Sequence, residues 1–334
     1  MLQNERSKLL SGVENVGNDN FDALALEVFR YQATNNALYG RFLELLGRKP
    51  AQIRHWSDIP CLPVSFFKTH TIQSGDWQPE AVFSSSSTSS QTPSRHPVRD
   101  ADFYLRNTLR GFEAVYGSIK GMLILALLPS YLERSGSSLV LMADYFIRAS
   151  GNPDSGFFLY NHEELLEKLR KNNNSGQQKI LLLGVSFALL DLAEQYSGPP
   201  LPNLVVMETG GMKGRRKELT RSELHSTLQA AFGLKSIHSE YGMTEMFSQA
   251  WSTGEGIFKP SASLRVFATD VYDPLSPTRP GKTGILNLID LANVDSCAFL
   301  ATEDLGKVYS DGSFEVLGRM DAAELRGCNL MIES

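Results

Sequence analysis

Phe83-Ser-Ser-Ser-Ser-Thr-Ser-Ser-Gln-Thr-Pro-Ser-Arg-His96 is the stretch on which the reading of this chain turns. Every residue from Ser84 to Ser90 carries a hydroxyl, no acidic side chain interrupts the stretch, and Arg95 and His96 close it. Hydroxyls and free backbone N–H groups on a tight loop suit a phosphate, with the two basic residues as cations close by. Composition alone would also describe a disordered serine linker. The flanks bear on the choice: apolar Ala81-Val-Phe83 leads in, and a strongly periodic helical segment begins at Ala101. A long linker inside a compact domain needs a reason to be there.

On both sides of this stretch the chain alternates. Asn20 to Gly47 has apolar residues at helical spacing, from Phe21 and Leu24 to Leu45 and Leu46, with Gly47 as the stop. Ile59 to Lys68 is punctuated by two prolines and reads as an extended connection, with Cys61 as a small buried residue and Lys68 as an exposed lysine that could also reach a phosphate. Ala101 to Tyr116 is an amphipathic helix. Met122 to Leu128 is an unbroken apolar run that suits a strand buried on both faces. Helices follow at 137–148, 162–171 and 186–196, and strands at 156–160, 179–184 and 203–207. Thr220-Arg-Ser-Glu223 has capping-box spacing and opens a helix to Phe232. Such alternation predicts an α/β body with a largely parallel sheet over 1–256. From Ile257 short β-rich pieces separated by turn clusters predict a small β subdomain over 257–334.

Ligands of such sheets sit beyond the carboxyl ends of the strands. Two segments fall there. Glu208-Thr-Gly-Gly-Met-Lys-Gly214 follows the strand at 203–207, and Gly210 and Gly211 would let a flat ligand or a phosphate approach the backbone, as an ordinary turn would also require. Ser239-Glu-Tyr-Gly-Met-Thr-Glu245 sets an aromatic ring, a glycine, a hydroxyl and a carboxylate in one short loop. That set could stack on a base and hold a divalent cation.

Composition excludes several classes. The 334 residues carry a net charge of −5, which offers no global basic field for nucleic acid or an anionic membrane. No apolar run reaches the roughly 18 to 20 residues of a membrane span. Three cysteines, Cys61, Cys297 and Cys328, are too few and too scattered for a disulfide framework or a zinc site. The polar first residues lack the core of a signal peptide, and a cytoplasmic protein is expected.

Taken in order, the motifs resemble those of the adenylate-forming superfamily of acyl-CoA synthetases, luciferases and peptide-synthetase adenylation domains. The serine stretch stands at the phosphate loop, Tyr241-Gly-Met-Thr-Glu245 is similar to the Tyr-Gly-x-Thr-Glu motif, Thr302-Glu-Asp-Leu to the Thr-Gly-Asp-Leu motif, and Gly318-Arg-Met-Asp321 to the Gly-Arg-x-Asp hinge. Ser87 and Ser90 replace glycines of the family loop, beside a retained Thr88. Within the superfamily the chain most resembles the LuxE-type acyl-protein synthetases, through Ser94-Arg-His96, its short length, and the continuation Arg326-Gly-Cys-Asn-Leu-Met-Ile-Glu333. That resemblance implies the body of an adenylate-forming enzyme without a C-terminal lid domain.

It also implies a chemistry: ATP and Mg²⁺ activate a carboxylic acid, fatty by analogy, to an acyl-adenylate, and the acyl group passes to Cys328 and on to a LuxC-type fatty acyl reductase. Ser85, Ser86, Ser87, Thr88 and Ser89 would bond the β and γ phosphate oxygens. Thr244 would touch the α-phosphate and Glu245 would hold Mg²⁺. Gly210 and Gly211 would flank the adenine with Tyr241 against its face. Asp304 would accept from the ribose hydroxyls, and Arg319 would bond ribose or phosphate. Two alternatives stay open: a carboxylate–CoA ligase similar to phenylacetate–CoA ligase, and a relative that binds nucleotide or a partner without catalysis.

Overall fold

The structure is a computed structural model that describes residues 2–85, 92–129, 135–173, 179–211, 216 and 219–320. Three helices open the chain: α1 (Leu2–Glu14), α2 (Phe21–Asn35) and α3 (Ala37–Leu45). The single helix expected over 20–47 is thus two. Asn36 takes an extended backbone between them, and its side chain accepts from the Tyr39 N–H at 3.0 Å, which starts a new helix at the cost of ending the old one. Gly47 lies just past the end of α3 with φ +64°, the left-handed conformation a helix stop requires. The proline-flanked segment supplies a two-residue strand β1 (Leu62–Pro63) and a 3₁₀ turn at Val64–Lys68.

The serine stretch is closed by a hairpin. Strand β2 (Ala81–Ser84) pairs antiparallel with β3 (Arg95–Val98), and the neck is tied by Ser85 N–H to the Ser94 carbonyl at 3.1 Å and Ser94 N–H to the Ser85 hydroxyl oxygen at 2.8 Å. A free linker has no such neck, so the stretch leaves and rejoins the fold at paired strands. Ser86 to Ser89, with Ser87 and Thr88 among them, lie outside the described residues.

The alternating region follows the sequence closely. After α4 (Ala101–Tyr116) come β4 (Leu123–Leu127), α5 (Ser138–Ser150), β5 (Gly156–Phe158), α6 (His162–Asn173), β6 (Ile180–Val185), α7 (Ser186–Gln195), β7 (Leu204–Thr209), α8 (Arg221–Phe232) and β8 (His238–Tyr241). All five residues of β4 and all six of β6 are buried, which is why these strands read as continuous apolar runs rather than alternating ones. The capping box at Thr220 and Glu223 is present in both directions.

Six further strands complete the sheet: β9 (Ala250–Ser252), β10 (Ile257–Pro260), β11 (Leu264–Thr269), β12 (Thr283–Asp290), β13 (Phe299–Val308) and β14 (Phe314–Arg319). The described strands join in one 12-stranded sheet in the order β11-β12-β13-β14-β10-β9-β8-β7-β6-β4-β5, with β1 alongside β13. Strands β5, β4, β6, β7 and β8 are parallel, and the rest of the main path is antiparallel from β9 onward. Because β8 is the last parallel strand, its carboxyl end faces the antiparallel half across a change of direction, a place where loops diverge and leave room for a ligand.

Candidate active site

The residues after β7 and β8 meet those from β13 and from the hairpin stem. Gly210 follows β7 directly with φ +68°, a conformation available cheaply only to glycine. Its carbonyl accepts from the Ser186 hydroxyl at 3.2 Å, while a side chain on Gly211 would meet open space. On the adjacent strand Tyr241 is buried, and its hydroxyl donates to Asp304 Oδ2 at 2.7 Å. Burial raises the pKa of the Asp304 carboxyl, and the Tyr241 hydrogen bond and the nearby Arg319 charge oppose that rise. Arg319 pairs with Glu303 at 3.0 Å and also acts on Glu245. Gly210, Tyr241, Asp304 and Arg319, read from four separated motifs, therefore share one end of the sheet.

Thr244 and Glu245 are held by the hairpin stem. His96 Nδ1 lies 2.9 Å from the Thr244 carbonyl, which makes that nitrogen the donor. Glu245 is buried; desolvation raises its pKa, countered by hydrogen bonds from the Ser94 hydroxyl and its own N–H and by the charges of Arg319 and Lys68. The expectation that His96 stands beside the loop as a cation is corrected here. The ring is wholly buried among Phe67, Phe83 and Phe247, and desolvation lowers its pKa to about 4, so it is neutral and its Nε2 finds no partner among the described residues. His96 positions the Thr244 loop; Arg95 is the exposed residue of the two. Lys68, read as an exposed lysine, is half-buried and near enough to act on Glu245.

Beneath the loop lies a clamp that sequence reasoning missed. Asp290, at the end of β12, is fully buried and accepts from the N–H groups of Phe247 (2.7 Å), Ser248 (3.0 Å) and Ala292 (3.2 Å) and from the Ser248 hydroxyl (2.6 Å). Asn293 adds a bond to the Glu245 carbonyl at 2.8 Å. Apart from Ala292 these partners lie more than forty residues apart in sequence, and no local pattern announces them. On the opposite face of β7, Glu208 is buried with Arg221 at 3.4 Å and His225 at 3.5 Å.

Among the described residues no group of three His, Cys, Asp or Glu side chains could hold a metal by itself. A single carboxylate such as Glu245 suits Mg²⁺ that takes its remaining ligands from phosphates and water. The roughly 390 Å³ groove lined by Phe112, Tyr116, Ile180, Leu204 and His238 sits at the amino ends of β6 and β7, away from these loops. Of the three cysteines, Cys297 is buried in the core as its surroundings in sequence suggest, and Cys61 is partly buried; burial raises both thiol pKa values. Cys328 lies outside the described residues.

No protein-family model and no curated protein matches this sequence. Solved structures do match, and what they share with the chain is a fold, that of the N-terminal body of adenylate-forming ligases. One such structure is 2-hydroxyisobutyryl-CoA ligase in its postadenylation state with 2-HIB-AMP, with TM-score 0.65 and 14% identity over 91% of this chain and 69% of that one. Another is ATP-bound MatB from Rhodopseudomonas palustris, with TM-score 0.51 and 17% identity over 72% of this chain and 48% of that one. The chain thus spans about half the length of the MatB structures it matches. No described helix is long and apolar enough to cross a membrane.

Proposed function

We propose that this chain activates a carboxylic acid with ATP and passes the acyl group to a thiol. The acid's carboxylate oxygen bonds the α-phosphorus, the bond to pyrophosphate breaks, and an acyl-adenylate results. The observation that carries the reading is the convergence of four distant segments at one sheet end: Tyr241 bonded to Asp304, the Thr244–Glu245 loop seated on Ser94 and His96, and Gly210 just after the next strand. The matched ligases with bound ATP or acyl-AMP support the same use of the fold.

In this reading Tyr241, Gly210 and Gly211 bound the adenine and Asp304 accepts from the ribose. Asp304 already takes one hydrogen bond from Tyr241, so one oxygen is fixed in direction and the other is left for a diol. Thr244 meets the α-phosphate, and its carbonyl is held by His96, so the loop needs no reorganisation as charge moves to pyrophosphate. Glu245 holds Mg²⁺, which when bound neutralises phosphate charge. Arg319 supplies further positive charge. Ser85 offers its hydroxyl hydrogen, since its oxygen is what Ser94 N–H uses. Ser86, Ser87, Thr88 and Ser89 complete the phosphate contacts.

The acceptor is Cys328. Its thiolate attacks the acyl carbonyl, the bond to AMP breaks, and a thioester forms. Cys61 and Cys297 suit this step poorly, because burial disfavours the thiolate that would attack. Transfer onward to a reductase of the LuxC type belongs to the LuxE resemblance. The second reading makes CoA the acceptor, as the matched CoA ligases suggest. Intact-mass spectrometry after incubation with ATP, Mg²⁺ and a panel of acids separates them. A hydroxylamine-sensitive gain of one acyl group in wild type, absent from Cys328→Ala, supports the first reading. CoA-dependent AMP release that survives Cys328→Ala replaces it with the second. ATP binding without pyrophosphate release for every acid defeats both.

A further inference from the structure

One titratable group at this site has no part in the nucleotide chemistry. Along β8, His238 and Glu240 point to one face and Ser239 and Tyr241 to the other. Tyr241 turns toward Asp304, Phe258 and Phe314. Glu240 therefore points to the opposite face, beside Thr209 at the end of β7. Tyr104 of α4 lies close enough that the Glu240 charge raises its phenol pKa, and the Tyr104 hydroxyl donates to the Ser138 carbonyl at the start of α5. Trp251, the register partner of Glu240, packs on Phe112 from the same α4 side.

The setting of Glu240 is an aromatic wall with one acid at its end. Phe83, Tyr104 and Phe247 pack on one another, with ring centroids 4.9 to 6.1 Å apart, and they connect that acid to His96 and the Thr244 loop. Ser239 and Tyr241 on either side are buried, whereas Glu240 is partly exposed, so the surface opens at this side chain. Among the described residues its carboxylate has one donor, the Thr209 hydroxyl at 2.6 Å to Oε2. The other oxygen faces Gly242 so closely that a Cβ there would lie 2.4 Å from it. No described cation pairs with Glu240. Glu208, one residue before Thr209, does have a cation, Arg221, and the His225 ring lies 3.5 Å from it. Burial raises the Glu240 pKa to about 7; the Thr209 hydrogen bond opposes the rise and the Glu208 charge adds to it.

We infer that Glu240 is a specificity-determining residue of the acyl side of this site, and that the acid activated here carries a hydrogen-bond donor, a hydroxyl or an ammonium group, which Glu240 accepts. The inference rests on the adenylation reading. With the nucleotide groups on the Tyr241 face of β8, the acyl part runs to the face where Glu240 and the aromatic wall stand. A plain hydrocarbon chain laid there would cover the free oxygen of Glu240 and leave it unsatisfied, whereas a donor would satisfy it. A site that expects a donor discriminates strongly against its absence.

The test uses matched acids on the full chain. Pyrophosphate release is measured with butanoate, its 2-, 3- and 4-hydroxy and 3- and 4-amino forms, and the octanoate series with 2- and 3-hydroxy members. In at least one pair, kcat/KM should favour the donor-bearing acid by about a hundredfold or more, and Glu240→Ala should reduce that preference to within about fivefold. Glu240→Gln separates the two donors: its amide oxygen still accepts from a hydroxyl, but the charge that favours ammonium is gone. ATP binding and thermal unfolding of each variant show that it is folded. Pyrophosphate release with no preference for the donor in any pair overturns the inference and leaves adenylation standing. If no acid releases pyrophosphate, calorimetry with the matching acyl-sulfamoyl adenosines decides. Binding without preference for the donor overturns the Glu240 assignment alone, and no binding of any of them overturns the adenylation reading with it.

Discussion

Asp290 and Glu240 are both carboxylates beside the loop at 242–249, the first fully buried and the second partly exposed, and their surroundings differ in kind. Asp290 lies under the loop and accepts from three backbone N–H groups and the Ser248 hydroxyl. Glu240 lies beside it and accepts from one described hydroxyl. Burial raises both pKa values, yet Asp290 has four donors acting against it. A saturated carboxylate is a structural clamp: its energy is already committed to holding the loop. A carboxylate with an open oxygen is tolerated where something else completes it. The difference separates the part of the site that holds shape from the part proposed to read the substrate.

The largest effect should come from breaking the clamp. Asp290→Ala leaves the Phe247, Ser248 and Ala292 N–H groups buried without an acceptor, and should cost about 4 kcal/mol in urea unfolding. A loss below about 1 kcal/mol would mean that the loop is held by something other than Asp290.

The second prediction concerns the sign of the Glu240 contribution with pH. Its pKa is raised from an ordinary 4.5 to about 7. The folded state then binds the proton more tightly than the unfolded chain, so stability is fullest below about pH 4.5 and falls as pH rises toward 7. Wild type should therefore lose ground to Glu240→Gln across that window, by roughly 3 kcal/mol in total, and the gap should stay level above it. Thermal unfolding from pH 4 to 8 measures it. A constant gap would mean that the Glu240 carboxyl is not raised in the folded state.

Thr209→Val should act more weakly and through the same group. It removes the one described donor to Glu240 while keeping the side chain's shape, and should cost about 1 to 2 kcal/mol above pH 7. The cost should shrink at low pH, where Glu240 is protonated and neutral. In a double-mutant cycle with Glu240→Gln the two effects should be strongly non-additive, and simple additivity would show that Thr209 acts elsewhere.

Much of the fold was legible because its signals are local. The continuous apolar runs of β4 and β6, the capping box at Thr220 and the glycine stop at Gly47 each depend on residues within a few positions of one another. The nucleotide candidates were legible as short motifs for the same reason. What stayed hidden depends on contacts across the sheet. The helix expected over 20–47 breaks because Asn36 caps α3, and its amide also reaches the Ser296 carbonyl, 260 residues on. His96 looks like a phosphate cation in sequence and becomes a neutral positioning group only once Phe67, Phe83 and Phe247 surround it. Asp290 is one acid at the end of an apolar strand, and three of its donor groups, on Phe247 and Ser248, come from the loop after β8. Glu240 stands next to the clearest motif in the chain, yet its role depends on strand parity and on which neighbours fail to bond it.

The smallest expected change in stability makes the sharpest distinction between the two carboxylates. Gly242 does not adopt a positive φ, so alanine is free to occupy its backbone conformation. The added methyl would fall 2.4 Å from Glu240 Oε1 and 3.6 Å from Gln249 Cγ. The first contact is with the far end of a flexible side chain, so the carboxylate can swing aside, and the cost should stay below about 1 kcal/mol. Substrate choice should change far more than stability, because the acceptor has moved while the clamp at Asp290 and the Tyr241–Asp304 pair are untouched. Gly242→Ala should thus keep ATP binding and pyrophosphate release and lose most of the preference for the donor-bearing acid of a matched pair. If the preference survives with the carboxylate displaced, the acceptor lies elsewhere on the acyl side and the contrast between a clamp and a reader fails at Glu240.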